Sequence, residues 1–395
     1  MGQAKTVLFL ETGTQNGGSF VVLMTLLRQM NRELFRPVVC CFNRPRCLDE
    51  LEKLGVPVVV LSDPLFSCRP AVRYFLMRLI QRGVVQFFPA IRPWYEPLIH
   101  AGATRAVKKI IRQESVDLLV LNTQVNRDIF AVFLAEKCGL PVVAHLQSCI
   151  GRGLTQRLAG RVNRRVSRMI ANSEACRAYW VSRGLERIDV LYHAMTTPDV
   201  LPADLTGLFG LPKGIPVVCC VGRLIHIKGQ DVLLRAFAQL DPRYSNAVLL
   251  LVGDGKLRKK LERLARSLGV ESRVIFTGWR ADACALIAAS DILVLPSREE
   301  PLGLTLLEGM SVGTPVIGCR TGGIVEIVEP GKNGLLVESG DPDGLAAAME
   351  QLLSNCELRE RLVSAGYKTV REKFNPVSFV KQVTDLYFQT LEKTK

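Results

Sequence analysis

The sequence predicts an α/β protein built from two doubly wound parallel sheets. Its 395 residues are enough for two domains, and an apolar fraction of 48% allows each domain to bury a core. Short apolar, β-rich runs alternate with helical patterns, and this alternation stops once and then restarts. Apolar runs separated by helices are typical of buried parallel strands joined by right-handed crossovers.

Thirteen runs carry this prediction. The seven in the first half are TVLFLE, PVVCCF, VPVVVL, DLLVLN, PVVAHL, RMIANS and RIDVLY. The six in the second half are IPVVCCVG, AVLLLVG, RVIFTG, DILVLPS, TPVIGC and NGLLV. The N-terminal stretch MGQAKTVLFLETGT has too short an apolar run for a signal peptide, so we interpret it as the first strand. A transmembrane span is not expected, because no stretch reaches roughly 18 consecutive apolar residues.

The region TTPDVLPADLTGLFGLPKG separates the two series of runs. It is rich in Pro, Gly and Thr and lacks periodicity, so we predict a linker at residues 198–213. The N-terminal domain then covers residues 1–197, and the C-terminal domain covers residues 214–375. Two doubly wound domains predict a ligand cleft that faces the carboxyl ends of both sheets.

The 12 cysteines do not resemble a disulfide framework. The pairs Cys40/Cys41 and Cys219/Cys220 lie inside apolar runs, and the others are scattered. A zinc site is not expected, because two CxxC units do not occur. We interpret the cysteines as reduced core residues of a cytoplasmic protein.

The first segment whose residues could bind a ligand is GRLIHIKG, which follows the first strand of the second half. Arg223 offers a planar fork and Lys228 a mobile ammonium, and both groups suit phosphate oxygens. Gly222 would let a ligand approach the backbone closely. An ordinary solvated loop with two charges is an equally good interpretation of these residues alone.

The second segment, PSREEPLGLTLLEGM, leaves a strand and enters a helix. Glu300 lies on the turn, and Glu308 lies about two helical turns further on. Gly303, Leu304 and Thr305 fall in the first turn, where unpaired N–H groups and the helix dipole favour an anion. This arrangement can bind a pyrophosphate between two hydroxyl-rich groups. The alternative, a capping Glu300 and an exposed Glu308, fits the apolar run LTLLEGM poorly.

The order of these motifs resembles family 4 of the glycosyltransferases, which have the GT-B fold and retain anomeric configuration. The resemblance covers about residues 214–375, and Glu300 and Glu308 match the E-x7-E motif of that family. The first half is similar in its Gly-rich loop at residues 12–18, in Ala144-His145-Leu146 and in ANSEACR. The matching stretches in the second half are GRLIHIKG, LLLVGDG, FTGW, PSREEPLGLTLLEGMSVGTPVIG, TGGIVEIV, GKNGLLV and GDPDGL.

The resemblance implies a role for each matching residue. Arg223 and Lys228 would bind the donor diphosphate and stabilise the departing nucleotide. Glu300 would contact the transferred sugar, Glu308 would bind the donor ribose, and His145 would lie near the sugar and the acceptor. The other implied donor contacts are Gly17, Gly18, Gly222, Trp279, Gly303, Leu304 and Thr305.

The resemblance also implies a metal-independent hexosyltransferase whose co-substrate is a nucleotide sugar, most commonly a UDP-sugar, with no bound cofactor. The helix at residues 376–395 would cross back onto the N-terminal, acceptor-binding domain. The string Asp341-Pro342-Asp343 has the form of a metal motif, but it precedes LAAAMEQLL. We therefore predict a turn and a helix cap there.

The net charge of +14 is concentrated in the first half of the chain. Residues 1–200 carry 27 basic and 15 acidic side chains, whereas residues 201–395 carry 24 and 22. Segment 69–112 has nine basic residues, one acidic residue and several aromatic ones. Two groups of basic residues have helical spacing. The first is Arg105, Lys108, Lys109 and Arg112, and the second is Arg157, Arg161, Arg164, Arg165 and Arg168.

A basic, aromatic, amphipathic surface suits an anionic membrane, so we predict peripheral binding at the cytoplasmic face. A solvated face of an ordinary helix pair is the alternative. A nucleic-acid partner is not expected, because no recognised binding motif accompanies the charge.

Three functions are compatible with the sequence. The first is a retaining glycosyltransferase of polysaccharide biosynthesis with a lipid-linked or cell-surface glycan acceptor. The second is a soluble transferase with a small acceptor, and the third is an inactive GT-B-like protein that binds membrane or polysaccharide. The intact set of Arg223, Lys228, Glu300 and Glu308 favours an enzyme.

Overall fold

A computed structural model describes residues 3–13, 18–42, 44, 48–61, 101–126, 128–149, 154–196 and 199–393. Gly17 and most of the basic, aromatic segment 69–112 lie outside these ranges. The chain divides into two compact units, and the first consists of Met1–Tyr192 together with Pro376–Lys395. The second unit is His193–Asn375.

All thirteen predicted runs contain a strand. The strands are β1 Lys5–Glu11, β2 Phe35–Cys41, β3 Val58–Val60, β4 Leu118–Leu121, β5 Val142–Leu146, β6 Arg168–Ala171, β7 Ile188–Val190, β8 Val217–Val221, β9 Val248–Val252, β10 Val274–Gly278, β11 Ile292–Leu295, β12 Val316–Cys319 and β13 Leu335–Val337. Strands with helices on both faces are buried on both sides, which explains why their sequences are almost continuously apolar.

The described helices lie between these strands and after the last one. They are α1 Gly18–Gln29, α2 Leu48–Lys53, α3 Ala101–Gln113, α4 Ile129–Cys138, α5 Gln156–Arg165, α6 Glu174–Val181, α7 Leu205–Phe209, α8 Gln230–Ala238, α9 Arg258–Ser267, α10 Ala283–Ala288, α11 Leu304–Val312, α12 Ile324–Ile327, α13 Pro342–Ser354, α14 Cys356–Lys373 and α15 Pro376–Glu392. Of three 3-10 turns in the described residues, His226–Lys228, Pro242–Tyr244 and Glu271–Arg273, the first lies just before α8. None of the helices in the described ranges combines the length and the apolar composition that a membrane crossing requires.

Both sheets are parallel throughout. The first unit has the strand order β3-β2-β1-β4-β5-β6-β7, and the second has the order β10-β9-β8-β11-β12-β13. The direction of winding therefore reverses between β1 and β4 in the first unit, and between β8 and β11 in the second. In open α/β sheets, ligands bind outside the carboxyl ends of the strands at such a switch point.

Several local predictions can be compared with the structure. The pairs Cys40/Cys41 and Cys219/Cys220 are buried in β2 and β8, as predicted. Asp341 caps α13, because its carboxylate accepts a hydrogen bond of 3.0 Å from the Gly344 amide, which confirms the predicted cap. The segment predicted as linker contains α7 and lies within the second unit, where the Ala203 amide donates to the Ala285 carbonyl.

The motif GKNG has a structural explanation in Asn333, whose side chain is 2% exposed. Its Oδ1 accepts a hydrogen bond of 2.8 Å from the Glu329 amide. Its Nδ2 donates to the Ile327 carbonyl and to the Thr369 hydroxyl, each at 3.0 Å. One side chain thus ties the turn before β13 to the helix α14.

Replacing Asn333 by Ala should destabilise the second unit by about 2–3 kcal/mol, because the buried Ile327 carbonyl and two part-buried groups, the Glu329 amide and the Thr369 hydroxyl, lose their partner. The change should appear as a lower midpoint of urea unfolding. Thr369→Val removes only one of the three bonds and should cost less. A wild-type unfolding midpoint in the Asn333→Ala variant would contradict this assignment.

Candidate functional site

Two loops meet at the switch point of the second sheet. The first follows β8 and contains Gly222 through Gly229, and the second follows β11 and contains Pro296 through Gly303. Gly229 has a φ of 67°, and a Cβ there would lie 1.9 Å from the Pro296 carbonyl oxygen. Only glycine fits at this contact, so residue 229 allows the two loops to approach each other.

Lys228 and Glu300 join the two loops through their side chains. The Lys228 Nζ lies 2.5 Å from Glu300 Oε2, and their side chains are 18% and 9% exposed. The Ser297 hydroxyl donates to the same carboxylate oxygen at 2.9 Å. The other oxygen, Oε1 of Glu300, accepts no hydrogen bond from the described residues, which leaves it available to a hydroxyl group of a ligand.

The backbone of the Glu300 turn is held by the motif TGG. The Gly323 amide donates to the Glu300 carbonyl at 2.9 Å. Gly322 has a φ of 49°, and a Cβ there would lie 1.9 Å from that same carbonyl oxygen. The glycines of TGG therefore fix where Glu300 lies.

Arg223 lies in the loop after β8 and is exposed. Its guanidinium makes no ion pair or hydrogen bond with the described residues, so it can bind an anion without breaking an internal contact. The backbone beside it is fixed, since the Leu224 amide donates to the Asp254 carbonyl at 3.0 Å and the Gln230 side chain donates to the Arg223 carbonyl at 3.0 Å.

The helix α11 begins at Leu304, with Gly303 in the N-cap position at a φ of 106°. Glycine supplies no capping side chain. The Leu306 amide donates to the Gly303 carbonyl at 2.9 Å, whereas the amides of Leu304 and Thr305 have no acceptor among the described residues and depend on another one. A bound anion is one such acceptor. The predicted position of Gly303, Leu304 and Thr305 at this helix start is therefore what the structure shows.

Glu308 lies one helical turn after Leu304 and is half-buried. Burial raises the pKa of its carboxyl to about 7, although the Lys228 ammonium acts in the opposite direction. The carboxylate makes no hydrogen bond with the described residues. Lys228 therefore acts on two carboxylates, that of Glu300 through contact and that of Glu308 through the field of its charge.

The remaining predicted donor contacts are less closely connected to this cluster. Trp279 follows β10, the edge strand, and is 42% exposed. No described contact joins it to Lys228 or Glu300. Gly18 is the exposed first residue of α1 in the other unit, and Gly17 lies outside the described residues.

His145 lies on β5 and is 1% exposed. Its Nε2 is 3.0 Å from the hydroxyl of Tyr387 on α15, and its Nδ1 has no partner among the described residues. Burial lowers the pKa of the imidazole to about 4, so the ring is neutral at pH 7. In this arrangement Tyr387 occupies the space next to Nε2, which is the environment of a packed core histidine.

Sequence reasoning missed a polar cluster at the switch point of the first sheet. Glu11 ends β1 and accepts hydrogen bonds from the Asn122 side chain at 2.6 Å and from the Gly13 amide at 2.9 Å. The Thr12 hydroxyl donates to Asp128 at 2.7 Å. All but Gly13 are at most 6% exposed. A carboxylate at the end of an apolar run and an Asn directly after β4 were the signals available in the sequence.

The comparisons with known proteins agree with this architecture. The family described as "Glycosyl transferases group 1" matches residues 209–369, and the family "Glycosyltransferase Family 4" matches residues 16–197. The crystal structure of Anabaena Alr3699/HepE in complex with UDP and glucose superposes with a TM-score of 0.78 at 24% identity, covering 98% of this chain and 100% of that one.

Two curated relatives are similar over part of their length. The lipopolysaccharide core biosynthesis glycosyltransferase LpsE of Rhizobium meliloti is 40% identical over 180 residues, which are 46% of this chain and 51% of LpsE. LpsD of the same organism, with the same description, is 36% identical over 211 residues, which are 53% of this chain and 58% of LpsD. The chain thus spans about half the length of the curated relatives it matches.

Two parallel doubly wound units of this topology define the GT-B class of proteins. Because its two halves match the two successive family models, the chain belongs to glycosyltransferase family 4.

The raised pKa of Glu308 predicts how the stability of the unliganded protein depends on pH. In the unfolded chain this carboxyl titrates at its ordinary pKa of 4.5, and in the folded chain at about 7. The folded state therefore loses stability as the pH rises from 4.5 through 7 and then levels off.

Glu308→Gln should remove this loss of stability. The variant should therefore be more stable than the wild type by on the order of 2–3 kcal/mol at about pH 8, and only slightly more stable than the wild type at about pH 5. Urea unfolding at the two pH values measures the difference. Glu360→Gln, at an exposed position of α14, is the control and should show no such trend. Equal effects of Glu308→Gln at both pH values would contradict the burial of this charge.

Proposed function

We propose that the protein is a retaining glycosyltransferase that moves a sugar from a UDP-sugar to a lipid-linked or cell-surface glycan. The observation that carries this proposal is the Lys228–Glu300 pair at the switch point, beside the exposed Arg223 and the half-buried Glu308. The UDP and glucose bound to Anabaena HepE support the donor. The lipopolysaccharide core relatives support the acceptor class.

The donor diphosphate would bind the two cations of the loop after β8 and the free amides at the start of α11. When the bond between sugar and phosphate breaks, negative charge grows on the departing nucleotide. Arg223 and Lys228 would stabilise this charge from fixed positions, as a metal ion does in other enzymes. We therefore propose that turnover is independent of added metal and persists in the presence of EDTA.

The two carboxylates would recognise the hydroxyl groups on either side of the diphosphate. Glu300 has a free Oε1 that can accept from the transferred sugar, and Glu308 can accept from the ribose. Hydrogen bonds to a charged carboxylate favour the ionised form, so donor binding would offset the burial that raises the pKa of Glu308. Trp279 follows β10, which lies two strands from β8, so the two strands are about 10 Å apart. This distance would let Trp279 contact the nucleobase while the loop after β8 binds the diphosphate.

The first unit would bind the acceptor. Its polar cluster around Glu11 and Asn122 lies at the switch point of the first sheet, where α/β sheets bind ligands. A role of His145 near the sugar stays a proposal, and it requires that Tyr387 leave the imidazole Nε2.

Variants of the ion pair should separate nucleotide binding from sugar transfer. Lys228→Met should weaken binding of UDP by roughly tenfold to a hundredfold, because a charge-assisted contact to phosphate is lost. Glu300→Gln should bind UDP at least as tightly as the wild type, since UDP lacks the transferred sugar that Glu300 would contact, and Lys228 is released from its partner. The same variant should lose most of its turnover of a UDP-sugar.

Calorimetry with UDP, GDP and ADP, without added metal, measures nucleotide affinity. Release of UDP from a panel of UDP-sugars measures turnover. The exposed pair of Lys332 and Glu329 gives the matched controls Lys332→Met and Glu329→Gln, which should leave both readouts unchanged. Wild-type UDP affinity in Lys228→Met, or wild-type turnover in Glu300→Gln, would refute the site.

We further propose that the basic helices of the first unit hold the enzyme at an anionic membrane. The helices α3 and α5 both pack against α4 and so lie in one layer. Arg105, Lys108, Lys109 and Arg112 are exposed on α3. Arg157 and Arg164 are exposed on α5, whereas Arg165 pairs with Glu136. Arg168 does not extend this row, because it lies on β6 and pairs with Asp189.

Changing the four basic residues of α3 to Gln should abolish sedimentation with vesicles that contain phosphatidylglycerol. Each basic residue near such a surface contributes about 1 kcal/mol, and the binding should also fall as salt is added. The control is the same change at Lys259, Lys260, Arg263 and Arg266 of α9, an equally basic helix in the second unit. Equal losses in both variants would refute the assignment of binding to α3. No binding by the wild type at physiological salt would favour a soluble transferase with a small acceptor.

A further inference from the structure

Arg298 contacts the turn that carries Lys228, although it lies in the other loop of the site. Its Nη1 and Nη2 donate to the two carboxylate oxygens of Asp231, both at 2.7 Å. The Nη1 also donates to the His226 carbonyl at 2.9 Å. Asp231 lies in the first turn of α8, directly after the 3-10 turn that contains Lys228.

The backbone of Arg298 makes a second connection to the same turn. Its amide donates to the Ile227 carbonyl at 2.8 Å. Its own carbonyl accepts from the Thr321 hydroxyl at 2.9 Å, which ties it to the segment that holds the Glu300 turn. Arg298 therefore joins three segments: the turn that contains Lys228, the loop that contains Glu300, and the motif TGG.

We propose that Arg298, anchored by Asp231, is a positioning residue that fixes the turn of Lys228 so that its ammonium reaches the donor phosphates. This inference rests on the proposed function of the site. The Arg298 side chain is 24% exposed, and its two terminal nitrogens are already bonded to Asp231 and His226. It therefore acts through Lys228 and not through a contact of its own with the donor.

The physical need for such a residue follows from the chemistry of lysine. An ammonium on a flexible four-carbon chain has many rotamers, so its location depends on how well its backbone is fixed. A bidentate contact between Arg and a carboxylate is both strong and directional. Misplacement of a binding group by about 1 Å can reduce the rate about a hundredfold. A turn with a fixed backbone keeps the Lys228 ammonium at the donor phosphates and avoids this loss.

Arg298→Gln and Asp231→Asn should each weaken UDP binding by roughly tenfold, the loss expected when one charge-assisted contact is misplaced. Arg298→Lys should lose less, since an ammonium can reach either Asp231 or the His226 carbonyl. The matched control is Arg243→Gln, because Arg243 also makes a two-point contact with an aspartate, Asp241, in an exposed turn before β9. This control should bind UDP like the wild type.

The decisive comparison is made in the background of Lys228→Met. If Arg298 acts through Lys228, Arg298→Gln should cause little further loss of UDP affinity there. A full additional tenfold loss in that background would show that Arg298 only supports the fold or touches the donor itself, and would overturn the proposal. Unchanged affinity in the single variant Arg298→Gln would overturn it as well.

A second measurement needs no nucleotide. Lys228 and Gly229 donate their amides within the turn, to the carbonyls of Ile225 and His226. In the unliganded full chain, Arg298→Gln should accelerate hydrogen exchange of these amides and leave exchange in β9 unchanged. Wild-type exchange in the variant would overturn the proposal. If the wild type binds no nucleoside diphosphate at all, the proposed function fails, and this measurement still decides whether Arg298 fixes the turn.

Discussion

The candidate site depends on one close approach between two backbone segments, at Gly229 and Pro296. Because residue 229 has no Cβ, the loop after β8 lies against the loop after β11, and the Arg298 amide reaches the Ile227 carbonyl. This contact places Lys228 beside Glu300. A buried ion pair contributes little net stability, since desolvation of both ions opposes their attraction. Its presence at a switch point is therefore better explained by ligand binding than by stability.

The charges around this pair are arranged for a ligand that carries both phosphate and hydroxyl groups. Lys228 faces two carboxylates, and the raised pKa of Glu308 reflects the cost of burying the second one without a hydrogen-bond donor. A ligand that brings hydroxyl donors to Glu300 and Glu308, and negative charge to Lys228 and Arg223, would relieve this cost. The unliganded site is thus less stable than it could be, as is common where residues serve binding.

The strands and the start of α11 could be predicted from the sequence because local pattern determines them. The apolar runs have the length of buried strands, and Asp341 and Gly303 mark helix starts by their residue types. The long-range side-chain contacts within each unit could not be predicted. Arg298 meets Asp231 across 67 residues, Asn122 meets Glu11 across 111, and His145 meets Tyr387 across 242. Such pairs depend on the order of the strands in each sheet and on where α15 packs. Short helices such as α7 were also missed, because they leave no periodic pattern in the sequence.

The packing of α3 limits how the first unit can meet a membrane. Its apolar side, with Ala103 and Val107, is fully buried in the core, so the amphipathic pattern is already explained by folding. An apolar face that packs against a sheet is not available for insertion among lipid chains. The exposed side offers Lys108 and Lys109, and such groups attract an anionic surface only over about a Debye length. Attachment through this layer would therefore be electrostatic and reversible.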